Sequence, residues 1–192
     1  MKIPNHFDLI APFYEMVIPA AHTEELVQIG NFPVAGLILD IGGGTGRVAK
    51  VLAQIQKDII ILDSSHAMLR MAKNHHRIQP LRGNAEQLPF PRNYFERVMM
   101  IDSFHHLADH RAAINEAWRV LKPNGILILQ EPDIEQWGGK AIAIFEKALF
   151  MRSHLFSAKR VLEMLDDRNH QSAVYKRQQF YWLVIQKNSL QN

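Results

Sequence analysis

Acidic and glycine residues are closely spaced between positions 40 and 46, where the chain reads Asp-Ile-Gly-Gly-Gly-Thr-Gly. The apolar run before them is typical of a buried parallel strand. After them, Val48, Val51, Leu52 and Ile55 recur at helical spacing and predict an amphipathic helix. Glycines let the backbone approach a ligand closely, and a helix N-terminus presents free N–H groups to an anion. The stretch therefore predicts a cradle for a nucleotide-containing cofactor.

The glycine spacing separates two kinds of cofactor site. A dinucleotide site requires Gly-x-Gly-x-x-Gly, which after Gly42 and Gly44 places a third glycine at position 47. That position holds Arg47, and the pattern present is Asp-x-Gly-x-Gly-x-Gly, from Asp40 to Gly46. The spacing disfavours a dinucleotide, although three closely spaced glycines also occur in plain tight turns.

A second acidic residue ends the next apolar run. Residues 58–63 read DIIILD and predict a buried strand that ends at Asp63. Because an ionised carboxylate accepts two hydrogen bonds, Asp63 suits a ribose diol, and the alternative is a helix-capping acid. Ser64 or Ser65 is expected to cap the following helix, where Met68 either packs in the core or contacts an adenine ring.

Strand and helix signals alternate along the rest of the chain. They predict a doubly wound α/β fold with a mainly parallel seven-stranded sheet, the last strand antiparallel. The third strand ends within 80–84, the fourth covers 94–102, Asp109 caps the next helix, and residues 122–125 separate that helix from a fifth strand over 126–130. Helices are expected over 139–150 and after Ser157, followed by β-rich runs over 172–177 and 180–186.

Composition narrows the possible functions. With 192 residues, 47% of them apolar and 21% charged, the chain is expected to form one domain over 1–192. A net charge of +3 without a basic block does not indicate nucleic-acid binding. The chain has no cysteine, which excludes cysteine nucleophiles and cysteine-ligated metals. No apolar run has the length of a membrane span, and the N-terminus lacks a signal-peptide pattern, so a cytoplasmic enzyme is expected.

Two segments could cover a site. Residues 1–22 are rich in aromatic residues and prolines, and they form either a packed N-terminal arm or a lid. Residues 133–157 would form a short roof over an apolar pocket for an aromatic or isoprenoid-like molecule, unless their aromatic side chains belong to the core. Those side chains are Trp137, Phe145, Phe150 and Phe156.

Four motifs in this order resemble the class I S-adenosylmethionine-dependent methyltransferases of the ubiquinone/menaquinone-biosynthesis type. They are LILDIGGGTG (37–46), IIILDSSHAML (59–69), GNAEQLPFPRNYFERVMMIDSFHHL (83–107) and EAWRVLKPNGILIL (116–129), and the resemblance covers nearly the whole chain. Two positions depart from the family pattern. Asn84 stands where an aspartate is usual, which puts cofactor affinity in doubt. Residues 167–170 replace an Ala-Gly-Phe, so Asn169 is expected in the left-handed conformation of the glycine.

The resemblance implies a Rossmann-like methyltransferase that binds S-adenosylmethionine and needs no metal. It implies that the glycine backbone cradles the cofactor, with one acid near the amino group, one on the ribose and an amide near the adenine. The cofactor-binding residues it indicates are Tyr14, Asp40, Gly42, Gly43, Gly44, Gly46, Asp63, Ser64, Met68, Asn84, Ala85, Asp102 and Ser103.

His105 and His106 follow the tip of the fourth strand and are the candidate catalytic residues. A histidine near its working pH can take a proton from a phenol or enol during methylation. The alternative is that one ring packs on the sheet and the other faces solvent. Glu131 or Tyr14 is the next candidate base, whereas His75, His76 and His110 are expected on helix surfaces.

The methyl acceptor is expected to be a small molecule. Methyltransferases that act on nucleobase amines usually carry [DN]-P-P-[YF] after the fourth strand, and this chain has DSFH (102–105). A protein or an RNA oxygen remains a less favoured acceptor. Two alternatives are a non-catalytic cofactor-binding module, which Asn84 favours, and an NAD-dependent short-chain oxidoreductase, although the chain has no Tyr-x-x-x-Lys. The sequence does not predict an oligomeric state.

Overall fold

A computed structural model describes residues 23–73, 76–137, 154–166 and 168–189. The strands are β1 (Ile38–Ile41), β2 (Ile59–Asp63), β3 (Ile78–Arg82), β4 (Phe95–Ile101), β5 (Leu121–Pro132), β6 (His170–Arg177) and β7 (Phe180–Lys187). The helices are α1 (Thr23–Ile29), α2 (Arg47–Leu52), α3 (His66–Ala72), α4 (His110–Val120) and α5 (Ala158–Glu163), with a 3₁₀ turn over Phe104–His106.

The strands form a seven-stranded sheet in the order β3-β2-β1-β4-β5-β7-β6. β1 lies parallel to both β2 and β4, so that Asp40 is paired with Ile61 on one side and Met99 on the other. β3 and β5 continue the parallel sheet, whereas β7 runs antiparallel to both β5 and β6. The predicted fold class and the antiparallel last strand are therefore confirmed.

Both faces of the central strands are buried, as expected for a parallel sheet. Ile38, Ile59 and Ile61 pack into a core with the apolar sides of α1, α2 and α3. Leu39 and the alternate residues of β2 face the opposite way and pack into a second core with α4 and α5. Because successive strand residues point to opposite faces, one apolar run supplies both cores and leaves the strand tips to carry polar groups.

The helix after the glycine turn is shorter than the apolar spacing predicted. α2 ends at Leu52 and buries Val48, Ala49 and Leu52. Val51 is 38% exposed, and Ile55 follows the helix in a turn with 46% exposure. The helix has only six residues, so its buried stripe is narrow, and the prediction that Val51 and Ile55 point inward is wrong.

Two turns that differ from the prediction contain a non-glycine residue with positive φ. Residues 122–125 bulge out of β5, since Phe95 pairs with Leu121 and Arg97 pairs with Ile126, and Asn124 there has φ 62°. The β5 strand therefore begins earlier than predicted. Asp166, with φ 53°, occupies the left-handed conformation that was expected at Asn169, so that assignment is wrong.

Several predicted elements lie outside the described residues. They are the arm over 1–22, which includes Tyr14, the helix over 139–150, and the aromatic roof residues Phe145 and Phe150. Within the described ranges, no helix has both the length and the apolar character to cross a membrane.

Candidate functional site

A cavity of about 850 Å³ opens at the carboxyl ends of the parallel strands. Ligands bind at this edge in open α/β sheets because the loops after neighbouring strands diverge there. Of the predicted site residues, Asp40, Gly42, Gly43, Gly44, Asp63, Ser64, Met68, Asn84, Ala85, Asp102, Ser103 and His106 line the cavity. Gly46 and His105 lie outside its lining, and Tyr14 lies outside the described residues.

The glycine turn packs tightly on one side and faces the cavity on the other. A Cβ atom added at Gly42 would lie 2.6 Å from Ser103 Cβ, and Gly42 has φ 72°. At Gly44, with φ 54°, the nearest atom to an added Cβ is Asp63 Oδ2 at 3.8 Å. Gly44 therefore presents bare backbone to the cavity, which a close-bound ligand requires.

Gly46 has a structural role instead. It is the N-cap residue of α2, with φ 78°, and an added Cβ would lie 3.0 Å from Ile61 Cδ1 and 3.3 Å from Ala72 Cβ. This glycine lets the start of α2 pack against β2 and α3. Gly46 thus supports the shape of the turn but does not line the cavity.

Asp63 lines the cavity and links the glycine turn to the residues before α3. Its Oδ2 atom accepts a hydrogen bond from Gly44 N at 3.0 Å, and its Oδ1 atom accepts one from Ser65 N at 2.8 Å. Ser65 in turn caps α3 by accepting a hydrogen bond from Met68 N. Each carboxylate oxygen has two lone-pair sites, so Asp63 can still accept hydrogen bonds from a ligand in the cavity.

Arg47 also lines the cavity, although it was not predicted from the sequence as a site residue. Its Nη2 atom lies 3.1 Å from Asp102 Oδ2, and both side chains line the cavity with 11% and 17% exposure, respectively. Arg47 begins α2, whereas Asp102 follows β4 with φ 56°. The pair places opposite charges beside the glycine turn.

Asp40 lies buried at the start of the glycine turn. Burial raises the pKa of Asp40 to about 7, Arg47 opposes this rise, and Asp63 adds to it. A cation held beside Asp40 would favour the carboxylate form and lower this pKa. Binding of a positively charged ligand group beside Asp40 would therefore shift this carboxyl group towards its charged form.

Asn84 and Ala85 form the far wall of the cavity, in a turn closed by a hydrogen bond from Gln87 N to Asn84 O. The next residue, Glu86, also lines the cavity, and its Oε1 atom accepts hydrogen bonds from Ala108 N and Asp109 N. Glu86 thereby ties this turn to the segment after β4. Glu86 was not predicted from the sequence to be a site residue.

The two candidate histidines have different environments. His106 lines the cavity, whereas His105 is fully buried, with its Nδ1 atom in contact with Glu131 Oε2. Their ring centroids are 3.9 Å apart. Glu131 is also buried and does not line the cavity, so its carboxylate has no direct route to a ligand there.

His110 begins α4 but is half-buried, so the prediction that it lies on the helix surface without specific contacts is wrong. Its ring packs edge-to-face against Phe104 and Phe156, with centroid distances of 5.0 and 4.6 Å. Burial lowers the pKa of His110, and the neighbouring His154 lowers it further. The aromatic environment therefore favours a neutral ring at His110.

The predicted aromatic roof is only partly described. Phe156 packs against the core beside Phe104, whereas Trp137 is 87% exposed. His154 lies between them in sequence and lines the cavity. Among the described residues, no group of histidine, aspartate or glutamate side chains could hold a metal ion.

Comparisons with known proteins point to one family. Residues 39–129 match a methyltransferase domain family. The chain is 33% identical over 104 residues to the ubiquinone/menaquinone biosynthesis C-methyltransferase UbiE of Coxiella burnetii, across 49% of this chain and 42% of that protein. The chain thus spans less than half the length of this relative.

Solved structures extend the similarity to nearly the whole chain. A Thermotoga maritima protein, described as a SAM-dependent methyltransferase and possible histamine N-methyltransferase, has a TM-score of 0.78 at 22% identity, covering 95% of this chain and 98% of its own. The [4+2]-cyclase SpnF has a TM-score of 0.76 at 18% identity, covering 95% and 94%. At these identities the likeness concerns the fold alone.

Proposed function

We propose that this chain, whose sequence and fold resemble those of the class I S-adenosylmethionine-dependent methyltransferases, transfers a methyl group from that cofactor to a small-molecule acceptor. The observation that carries the proposal is the bare backbone of Gly44 at a cavity also lined by Asp63 and the Arg47–Asp102 pair. A nucleoside joined to a zwitterionic amino acid needs this combination of backbone, diol acceptor and paired charges.

The polar side chains that line the cavity suit the chemical groups of S-adenosylmethionine one by one. Arg47 would attract the α-carboxylate, and the acidic Asp40 and Asp102 would attract the ammonium group. Asp63 would accept hydrogen bonds from the ribose diol. Asn84 would accept one from the adenine amine through its side-chain carbonyl, without the charge of the aspartate usual in the family.

When bound, S-adenosylmethionine supplies a sulfonium methyl group that a nucleophile can attack in line. The residues of this chain would hold the two reactants together and exclude water. Orientation of this kind contributes about 7–11 kcal/mol in well-aligned intramolecular reactions. An imidazole nitrogen of His106, which lines the cavity, would accept the proton of a phenol or enol acceptor.

We favour an aromatic or isoprenoid-like acceptor, and the name of the Coxiella relative, a quinone-biosynthesis C-methyltransferase, supports a small molecule methylated at carbon. Leu107 and Ala108 add apolar surface beside His106 at the cavity wall. The single-domain arrangement over 1–192, the lid over 1–22, the roof over 133–157 and the cytoplasmic location stay predictions from the sequence.

A non-catalytic binding module is the second candidate. The cyclase with the same fold illustrates that the architecture is not tied to one reaction, and Asn84 is the feature of this chain that favours the alternative. Retention of the glycine turn together with Asp40 and Asp63 favours the enzyme.

Two measurements test the proposal. Isothermal titration is expected to show that S-adenosylhomocysteine binds and that NAD(H) does not. Binding of NAD(H) without binding of S-adenosylhomocysteine would reject the proposal in favour of an oxidoreductase. A screen of small-molecule acceptors with methyl-labelled cofactor is expected to yield turnover. Cofactor binding without turnover across a broad panel would favour the binding module.

A further inference from the structure

Glu131 holds three consecutive residues of the segment that follows β4. Its Oε1 atom accepts hydrogen bonds from Phe104 N at 2.8 Å and from Ser103 N at 3.3 Å. Its Oε2 atom contacts the Nδ1 atom of His105. Both oxygens of this buried carboxylate are therefore directed to one short stretch of backbone and one ring.

Glu131 is held in the sheet by strand pairing. It lies near the end of β5, where it pairs with Tyr181 of β7. The neighbouring residue Gln130 accepts a hydrogen bond through its carbonyl oxygen from Asp102 N, at 2.8 Å. The segment after β4 is thus attached to the tip of β5 by backbone and side-chain contacts.

The segment that Glu131 holds leads directly into the cavity wall. A hydrogen bond from His106 N to Ser103 O closes the 3₁₀ turn, and the His106 ring lies against that of His105. The carbonyl oxygen of His105 also accepts a hydrogen bond from His154 N at 2.8 Å. The His106 ring thus packs on the ring that Glu131 contacts.

The same contacts reach the glycine turn. Ser103 Oγ donates a hydrogen bond to Ile41 O at 2.8 Å, and Ser103 Cβ occupies the space beside Gly42. Oε1 of Glu131 accepts the backbone hydrogen bonds of Ser103 and Phe104, whereas Oε2 contacts the His105 ring. The two oxygens can therefore be tested separately. A glutamine at position 131 could retain the first contact while changing the second.

A buried carboxylate requires such partners. Desolvation raises the pKa of Glu131, whereas His105 and the backbone N–H of Phe104 favour its charged form. A charge that is buried without hydrogen bonds is strongly unfavourable, so the carboxylate and its three donors must keep a defined geometry.

We propose that Glu131 is a positioning residue that, through His105, aims the His106 ring into the cavity where the methyl acceptor is expected to bind. This inference rests on the proposed methyltransferase function. Glu131 itself touches neither cofactor nor acceptor in this arrangement, because it lies outside the cavity lining.

The test is the Glu131→Gln variant, studied by NMR with ¹³C,¹⁵N-labelled histidine in the protein saturated with S-adenosylhomocysteine. The glutamine carbonyl can still accept the Ser103 and Phe104 hydrogen bonds, but its amide group donates toward His105 Nδ1 and favours the opposite tautomer. The ring ¹⁵N shifts of His105 are expected to exchange, and the ring resonance of His106 is expected to move. With an acceptor from the screen, kcat should fall by up to about 10²-fold, the scale of a 1 Å misplacement.

Glu116→Gln is the matched control. Glu116 also accepts a backbone hydrogen bond, from Leu88 N at 2.7 Å, and pairs with a cation, Arg119, but on α4 away from the histidines. This variant should leave the His106 resonance unchanged. His105→Asn is a second variant for use if Glu131→Gln does not fold, since it keeps a donor for Glu131 and removes the ring that contacts His106.

The outcomes separate this inference from the proposed function. An unmoved His106 resonance in the folded Glu131→Gln protein, or in His105→Asn, overturns the role of Glu131 while cofactor binding stands. If the unaltered protein does not bind S-adenosylhomocysteine, the proposed function fails, and the positioning role fails with it.

Discussion

Arg47 and Asp102 are 55 residues apart in the chain, and their side chains meet at 3.1 Å in the cavity at the strand tips. One residue begins the helix after β1, and the other follows β4, the strand beside β1 in the sheet. This ion pair is only slightly exposed, so it is less screened by solvent than a surface pair. It gives the end of the cavity beside the glycine turn a positive and a negative group.

We expect Arg47→Met to weaken binding of S-adenosylhomocysteine by about 1.5–3 kcal/mol, the scale of hydrogen bonds to charged groups. Binding of 5′-methylthioadenosine, which lacks the amino-acid part, should change little. Isothermal titration with both ligands measures the difference. Lys50→Met, on the same helix but outside the cavity lining, is the control. Equal losses for the two ligands would contradict a role for Arg47 at the carboxylate.

Asp63→Ala should weaken binding of S-adenosylhomocysteine by about 1.5–3 kcal/mol. The sequence alone suggested little effect on folding, but the hydrogen bonds from Gly44 N and Ser65 N predict a lower free energy of unfolding as well. Titration calorimetry and urea denaturation measure the two effects. Asp109→Ala removes a cap on Ala112 N outside the cavity and should lower stability by about 0.5–2 kcal/mol with unchanged affinity. Unchanged affinity in Asp63→Ala would leave Asp63 a purely structural role.

Two glycines of the turn should respond differently to substitution. Gly44→Val should abolish most cofactor binding, because its branched side chain would project into the cavity from a backbone with φ 54°. Gly46→Ala should mainly lower stability, by about 1–2 kcal/mol for the left-handed conformation, because Gly46 does not line the cavity. Thermal unfolding and titration of each variant distinguish these effects. A Gly44→Val protein with normal affinity would show that the backbone there does not contact the ligand.

Cofactor affinity should fall as the pH drops below neutrality. In the free protein Asp40 has a pKa of about 7, and a bound ammonium group would lower this value, so binding releases a proton at and below that pH. The affinity for S-adenosylhomocysteine should therefore be higher at about pH 8 than at about pH 6, and Asp40→Asn should reduce this dependence. Calorimetry in buffers of different ionisation enthalpy measures the proton release. The same affinity at both pH values would mean that no cation is bound beside Asp40.

The two adjacent histidines should differ in their effect on catalysis. His106→Ala should lower kcat by about 10²–10⁴-fold, the range of general-base catalysis, without changing cofactor affinity. The loss should shrink at high pH, where a phenol or enol acceptor ionises unaided. Steady-state kinetics with the acceptor from the screen provide the measurement, and His76→Ala, at an exposed position, serves as the control. Full activity of His106→Ala at neutral pH would show that the ring is not the base.

Much of the fold could be predicted because its signals are local. The apolar runs of β1 and β2, the glycines after β1, and the capping residues Ser65, Asp109 and Ser157 all act within a few residues of their own position. The alternation of strands and helices indicated a doubly wound, mainly parallel sheet, whereas the order of its strands came from the structure. These signals predicted that the candidate cofactor-binding residues lie along one edge of the sheet.

The remaining site features depend on contacts between distant parts of the chain. The adjacent residues His105 and His106 share one local pattern, and only the packing of β5 beside β4 buries the first against Glu131 while the second reaches the cavity. In the same way, the sequence shows Arg47 only as the residue in place of the third glycine of a dinucleotide site. Arg47 pairs with Asp102 only because β1 and β4 are neighbours in the sheet. The residue types and their spacing determined the kind of site. The tertiary structure decided which side chains face it, since a side chain's partners depend on which strands lie side by side.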